Sequence, residues 1–134
     1  MADAKILQYS VVTPESVVAE GHADFVALPG HDGEFGIMAM RAPLLCRLAP
    51  GIVRVQGRDQ TQRFFVAGGF GHVLRNQVTI LAPRALPASE VTRDMADEAL
   101  QRAGAIKVTD EESLARRSDA AAEARALRKL ASHE

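Results

Sequence analysis

Glycine falls at every third position in Leu28-Pro-Gly-His-Asp-Gly-Glu-Phe-Gly36, and apolar runs flank the segment on both sides. Gly30, Gly33 and Gly36 read as turn-makers, because glycine reaches positive φ without steric cost. That punctuation holds the chain to short strands joined by tight turns. A phosphate loop also uses glycines, but it needs a following Gly-Lys-Ser/Thr for the phosphate-binding lysine and the magnesium-binding hydroxyl. Ile37, Met38 and Ala39 come next instead, and they can enter a strand as easily as a helix.

The same punctuation continues to about residue 86. Strands are expected over Lys5–Val12, closed by Pro14, then over Ser16–Ala19, and over Ala23–Leu28 after Gly21. Further strands are expected over Gly33–Ala39, over Leu44–Leu48 (bounded by Pro43 and Pro50-Gly51) and over Ile52–Gln56. Thr61–Ala67 ends at Gly68-Gly69. Phe70–Leu74 and Val78–Leu81 flank a hairpin loop at Arg75-Asn76-Gln77. Many short, closely spaced strands with turn signals between them indicate a β-sandwich or barrel. Its core is small, so a permanent partner would add to its stability.

Composition changes at Pro83 and Pro87. Beyond Pro87 there is no proline, and Ala, Glu, Asp, Arg and Leu dominate, most of them good helix formers. Ser89 is the expected N-cap of a first helix, with Val91, Met95 and Ala99 as its apolar stripe and Gly104 as its end. Thr109-Asp-Glu-Glu112 has the form of a capping box for a second helix running to about Leu130. On a wheel of about 100° per residue, Leu114, Ala121 and Ala124 lie nearly opposite Leu127 and Leu130. This helix therefore shows no clean face to bury, and it carries Arg116, Arg117, Arg125, Arg128 and Lys129. It reads either as a solvated helix end or as an arm for an acidic partner. The division is residues 1–86 as sandwich and 87–134 as a two-helix unit.

The chemistry classes thin out quickly. Sixteen basic against seventeen acidic residues give a net charge of −1, which supplies no whole-chain attraction for nucleic acid or an anionic membrane. Cys46 is the single cysteine, in an apolar run, and reads as a buried inert thiol. His22, His31, His72 and His133 form no ligand pair of zinc spacing. His31 beside Asp32 reads as surface rather than as a dyad. No Gly-x-Ser-x-Gly elbow occurs, and Glu15, Glu20, Asp24, Asp32 and Glu34 read as edge charges that discourage sheet aggregation. No run reaches the roughly 20 apolar residues of a membrane span, and no signal-like start is evident, so a non-secreted, cytoplasmic-side protein is expected.

The order of features resembles the epsilon subunit of F-type ATP synthases, the homologue of the mitochondrial delta subunit. The matching pieces are Val12-Thr-Pro-Glu15, Leu28-Pro-Gly-x-x-Gly-x-x-Gly36, Ala42-Pro43-Leu44 and Leu48-x-Pro-Gly51. Gly68-Gly69-Phe70, Val78-Thr-Ile-Leu-Ala82 and Arg84-Ala85 follow, and then the helical pair. The resemblance implies a sandwich of about ten strands and a C-terminal helical hairpin. It implies a non-catalytic rotor subunit without a cofactor, peripheral to the membrane on its cytoplasmic face. The sandwich would bind the gamma subunit and rest on the ring of c subunits, coupling ion flow to rotation. The hairpin would fold onto the sandwich, or extend into the catalytic head and block ATP hydrolysis. Arg116, Arg117, Arg125, Arg128 and Lys129 would then approach an acidic segment of the beta subunit. Met38, Met40 and Arg41 become the candidates for contact with the ring. They fall where the family commonly carries Pro-Gly-His, which Ala39-Met40-Arg41 replaces here. Some members bind ATP through Asp-x-x-Arg-Ala, to which Glu90-Val-Thr-Arg93-Asp94 is the nearest match, making Glu90 and Arg93 weak nucleotide candidates. Rival readings are a free-standing sugar- or peptide-binding sandwich and a small enzyme.

Overall fold

A computed structural model of the chain describes residues 6–132; Lys5 and His133 lie outside the described residues. The chain runs β1 (Leu7–Val12), β2 (Val17–Ala23), β3 (Phe25–Gly30), β4 (Gly33–Met38), β5 (Leu44–Gln56), β6 (Thr61–Leu74), β7 (Gln77–Leu81) and β8 (Ala85–Pro87). Then come a single 3-10 turn (Ala88–Glu90), α1 (Arg93–Ala105) and α2 (Glu111–Ala131). The mainly β sandwich with a C-terminal helical hairpin is the architecture expected from the sequence.

Strands lie in the order β2-β1-β7-β6-β5-β3-β4, with β8 also on β6. Every pair is antiparallel except β1 with β7. There are eight strands among the described residues where about ten were expected. The difference lies in β5 and β6, which run through the breaks read at Pro50-Gly51 and Gly68-Gly69. Their pairing keeps one register from Leu44↔Val73 to Gln56↔Thr61 and skips only Ala49 and Gly68. Side-chain alternation shows what happens there. Before the break Leu48 points into the core, and after it Val53 and Val55 do; on β6, Phe64 and Val66 give way to Val73. The phase changes by one residue in both strands, so each strand crosses from one layer of the sandwich to the other. A glycine pair makes that crossing possible. Gly68 and Gly69 have φ of 89° and 112°, and a side chain on Gly69 would collide with the Leu81 carbonyl oxygen.

Between the layers lie Leu7, Val11, Val26, Leu28, Ile37, Val53, Val66, Val73, Val78 and Ile80, all fully buried. Each such side chain contributes about 1.5–3 kcal/mol by leaving water. Of the opening glycines, Gly30 and Gly33 pair with each other across the two-residue turn His31-Asp32, and Gly33 has φ of 133°. Gly36 is not a turn-maker. It sits within β4 opposite Ala27, and the Phe25 ring occupies the space its side chain would fill. The Arg54 guanidinium lies 5.9 Å from the centre of that ring. Glycine serves there for close approach rather than for a bend. Gly21 likewise does not divide two strands; it lies in β2, beneath the ring of Tyr9.

The helices start later than expected. Thr92, not Ser89, caps α1 by accepting from Met95 N, because Ser89 and Glu90 are taken up by the 3-10 turn after Pro87. Asp110, not Thr109, caps α2. Its carboxylate accepts from Ser113 N at 2.8 Å, and Ser113 Oγ accepts from Asp110 N at 3.0 Å, a reciprocal box one residue further on. These bonds hold the Asp110 carboxyl below its ordinary pKa. The expectation that α2 has no face to bury is also corrected. Ala124, Ala126, Leu127 and Leu130 pack with Val91, Ala96 and Ala99 and with the outward-facing Phe65, whereas Leu114 stays exposed. The hairpin is thus folded down on the sandwich, against Ile52, Phe65, Ala67 and Leu86.

Two glycines should respond oppositely to alanine. Gly69→Ala combines positive φ with a backbone collision and should lose at least ~3 kcal/mol. Gly104→Ala lies within α1 with open space around it and should gain about 0.5–1 kcal/mol. Urea unfolding of the full chain measures both.

Candidate functional site

One side of the sandwich has no helix over it. The residues of β5 and β6 that alternate with the core after the crossing are Leu45, Arg47, Phe70, His72 and Leu74, paired as Leu45↔His72 and Arg47↔Phe70. Phe70 also pairs with Leu81, Leu81 with Val12, and Val12 with Val17. A cross-strand row therefore runs Val17–Val12–Leu81–Phe70–Arg47. Its large apolar members are open to solvent: Val17 is 56% exposed, Phe70 50% and Leu81 48%, and the neighbouring Leu45 is 68% exposed. Outward apolar side chains in register across four strands form a patch of the kind that marks a partner surface.

The sequence-predicted residues Met38, Met40 and Arg41 adjoin this face. Met38 ends β4, and the following loop returns the chain to Leu44 at the start of β5. Met40 N donates to Asn76 Oδ1, which clips the loop to the two-residue β6–β7 turn Arg75-Asn76. Leu74 is the last residue of β6 before that turn, so the end loop and the sheet face are continuous. Met38 and Met40 are among the most exposed apolar side chains of the described residues. Met40 has φ of 71°, so it holds a left-handed conformation at the position where the family it resembles commonly carries glycine. Beneath the loop, burial pushes the Cys46 thiol up, against the opposing pulls of the Gly71 hydrogen bond and the Arg41 charge. Cys46 is only partly buried, where the sequence reading had it buried.

The exposed row itself escaped the sequence reading. In Phe70-Gly-His-Val-Leu74 both phases carry apolar residues, so period alone cannot say which points outward. The crossing at Gly68-Gly69 decides it. The turn glycines Gly30 and Gly33 lie at the far end of β3 and β4 from Met38, about one six-residue strand, or roughly 17–20 Å, away.

The second set of candidates lies on the hairpin, and it does not form one cluster. Arg125 and Arg128 line a groove of about 640 Å³ between α1 and α2, together with Arg93, Asp97, Leu100 and Ser132. Glu90, the other nucleotide candidate, does not line it; it stays in the 3-10 turn. Arg116 and Arg117 are exposed in the part of α2 that precedes its packed half, and Lys129 is exposed near its end. Among the described residues no group of three His, Cys, Asp or Glu side chains is placed to hold a metal, and no described helix is long and apolar enough to cross a membrane.

Comparison with known proteins identifies the family and the fold. Residues 6–88 match the family model of the ATP synthase delta/epsilon chain, beta-sandwich domain. The ATP synthase epsilon chain of Paramagnetospirillum magneticum is 34% identical over 111 residues, covering 82% of this chain and 83% of the relative. That of Carboxydothermus hydrogenoformans is 43% identical over 103 residues, covering 77% and 75%. Among solved structures, a chain of the Euglena gracilis mitochondrial ATP synthase OSCP/F1/c-ring assembly superposes with a TM-score of 0.77 at 22% identity, covering 94% of this chain and 81% of that one. A chain of the Tetrahymena thermophila mitochondrial ATP synthase central stalk and c-ring gives 0.71 at 16% identity, covering 94% and 96%. At those identities the superpositions speak for the fold.

The left-handed Met40 should cost the chain about 1 kcal/mol. Met40→Gly should therefore raise stability by roughly that amount, read as a shift in the urea midpoint without a change in slope.

Proposed function

The chain belongs to the ATP synthase delta/epsilon chain family, and from that premise we propose that it works as a non-catalytic subunit of the enzyme's central stalk. The observation that carries this reading is the division of its surface. One layer of the sandwich is covered by the chain's own hairpin, and the other presents the open row Val17–Leu81–Phe70. We assign that row to the gamma subunit, because a permanent partner would remove its apolar side chains from water. Met38, Met40 and Arg41 are continuous with it, so we assign them to the same partner rather than to the ring that the sequence reading gave them. This leaves the opposite end, with the His31-Asp32 turn, to meet the c-subunit ring. The protein would thereby sit at the membrane surface through its complex, on the cytoplasmic side.

Residues 87–134 form the regulatory unit of this reading. Docked, the hairpin lies on its own sandwich. Released, it would carry Arg116, Arg117, Arg125, Arg128 and Lys129 toward an acidic partner in the catalytic head, the beta subunit, and restrain ATP hydrolysis. Alanine supplies much of the packed face of α2; each alanine buries little area, which keeps the docked and released states close in free energy.

A second reading concerns the groove alone. Three guanidinium groups against the single carboxylate of Asp97 suit the phosphates of a nucleotide, which would bridge α1 and α2 and favour the docked hairpin. Titration of the full chain with ATP should show binding that weakens with salt and is lost in Arg93→Ala. Equal affinity in that variant would exclude the groove.

The main reading is tested in the reconstituted enzyme. Phe70→Asp or Leu81→Asp should lower copurification with gamma at least tenfold, since a carboxylate would be buried in an apolar contact. Omitting the residues beyond Pro87 should preserve assembly and raise ATPase activity. Full gamma binding by both aspartate variants would remove the assignment of the row.

A further inference from the structure

Glu123 stands on the face of α2 that packs against the sandwich, four residues before Leu127 and seven before Leu130, the spacing of one helical stripe. Its side chain is only 14% exposed. An acidic group in that position loses water when the hairpin docks, so it requires a cation. Arg84 supplies one. Arg84 Nη2 donates to Glu123 Oε1 at 2.7 Å, and Arg102 on α1 approaches the same oxygen at 3.9 Å. The Arg84 backbone is itself fixed, since its carbonyl accepts from Ala67 N on β6 at 3.0 Å. One carboxylate oxygen thus joins the β7–β8 link, α1 and α2. The Arg84–Glu123 hydrogen bond ties a helix side chain directly to the sandwich.

We propose that Glu123 is a latch that makes docking of the hairpin conditional on Arg84. The attraction does not need to add net stability. A paired, mostly buried charge roughly balances its lost hydration, but the same charge without its partner is strongly unfavourable. The latch therefore sets which docked arrangement is allowed. A hairpin shifted along the sandwich would bury Glu123 without its hydrogen-bonded partner Arg84, keeping only the 3.9 Å approach of Arg102, whereas the alanine-rich surface around it discriminates poorly between registers. Anything that competes for Arg84 or screens the pair, such as a phosphate-bearing anion or high salt, would release the hairpin. This inference rests on the reading that the hairpin leaves the sandwich, and its experiment separates the two.

Opening is measured in the full chain as the rate at which a thiol reagent labels Ala126→Cys, a buried site of the packed face, in a Cys46→Ser background. Arg84→Gln should speed labelling roughly tenfold, because it leaves the mostly buried Glu123 with only the long, non-hydrogen-bonded Arg102 contact. Glu123→Gln should change the rate by less than about threefold, and Arg84→Gln with Glu123→Gln should return it to near the parent rate. Tyr9, the only tyrosine in a chain without tryptophan, reports by fluorescence that the sandwich stays folded in each variant. Labelling unchanged in Arg84→Gln, or equally fast in the double variant, would overturn the latch. ATPase activity of the assembled enzyme carrying Arg84→Gln then tests the other claim. A hairpin that opens in the labelling assay without altering ATPase activity leaves the latch standing and removes the regulatory reading.

Discussion

The β5–β6 pairing is the constraint on which the rest of the molecule depends. Both strands belong to both layers, because each changes phase at its midpoint while keeping register with the other. That crossing encloses the core on one side. On the other it turns Ile52 and Phe65 outward in one layer, where α2 covers them, and Phe70 and Leu45 outward in the second, where no described element covers them. The exposed apolar row and the seat of the hairpin are thus two consequences of one bend. Gly68 and Gly69 permit it by adopting backbone that side chains resist, with the Leu81 carbonyl pressed against Gly69.

Much of this is legible in the sequence, for reasons particular to the residues concerned. Pro14, Pro43 and the pair Gly30 and Gly33 mark strand ends, and the change in composition at Pro87 separates sheet from helix. Four readings went astray where a local signal had two physical meanings. Gly68-Gly69 can end a strand or bend one, and the register across β5 settles which. Gly36 can permit positive φ or close approach, and only the position of the Phe25 ring distinguishes them. Thr109 and Asp110 both cap helices well, but Ser113 lies three residues after Asp110 and completes the reciprocal pair. On α2, Leu114 and Leu127 compete to define the apolar face, and the choice depends on Phe65, far away in sequence.

The candidate site was harder to read than the fold. Partner surfaces have no motif of the kind that spacing gives to a metal or phosphate site. Met38, Met40 and Arg41 came from a resemblance, whereas the apolar row beside them depends on knowing which phase of Phe70–Leu74 points outward. The basic residues of α2 look like one run in sequence. In three dimensions Arg125 and Arg128 join Arg93 across a groove while Arg116 and Arg117 stand apart, so a charge run is a poor guide to a charged surface.

The hairpin shows why an acidic residue can be more informative than the arginines around it. A basic side chain on a helix usually reaches water and demands nothing of its surroundings. Glu123 is short, mostly buried and in line with Leu127 and Leu130, so its environment must answer it. Arg84 and Arg102 do, from two different elements. The alanines around it provide contact without strong preference for one register, and the ion pair provides preference without much net attraction. A docking surface built from those two parts is selective about position yet weak in total. That combination is what the proposed release and return of the hairpin would require.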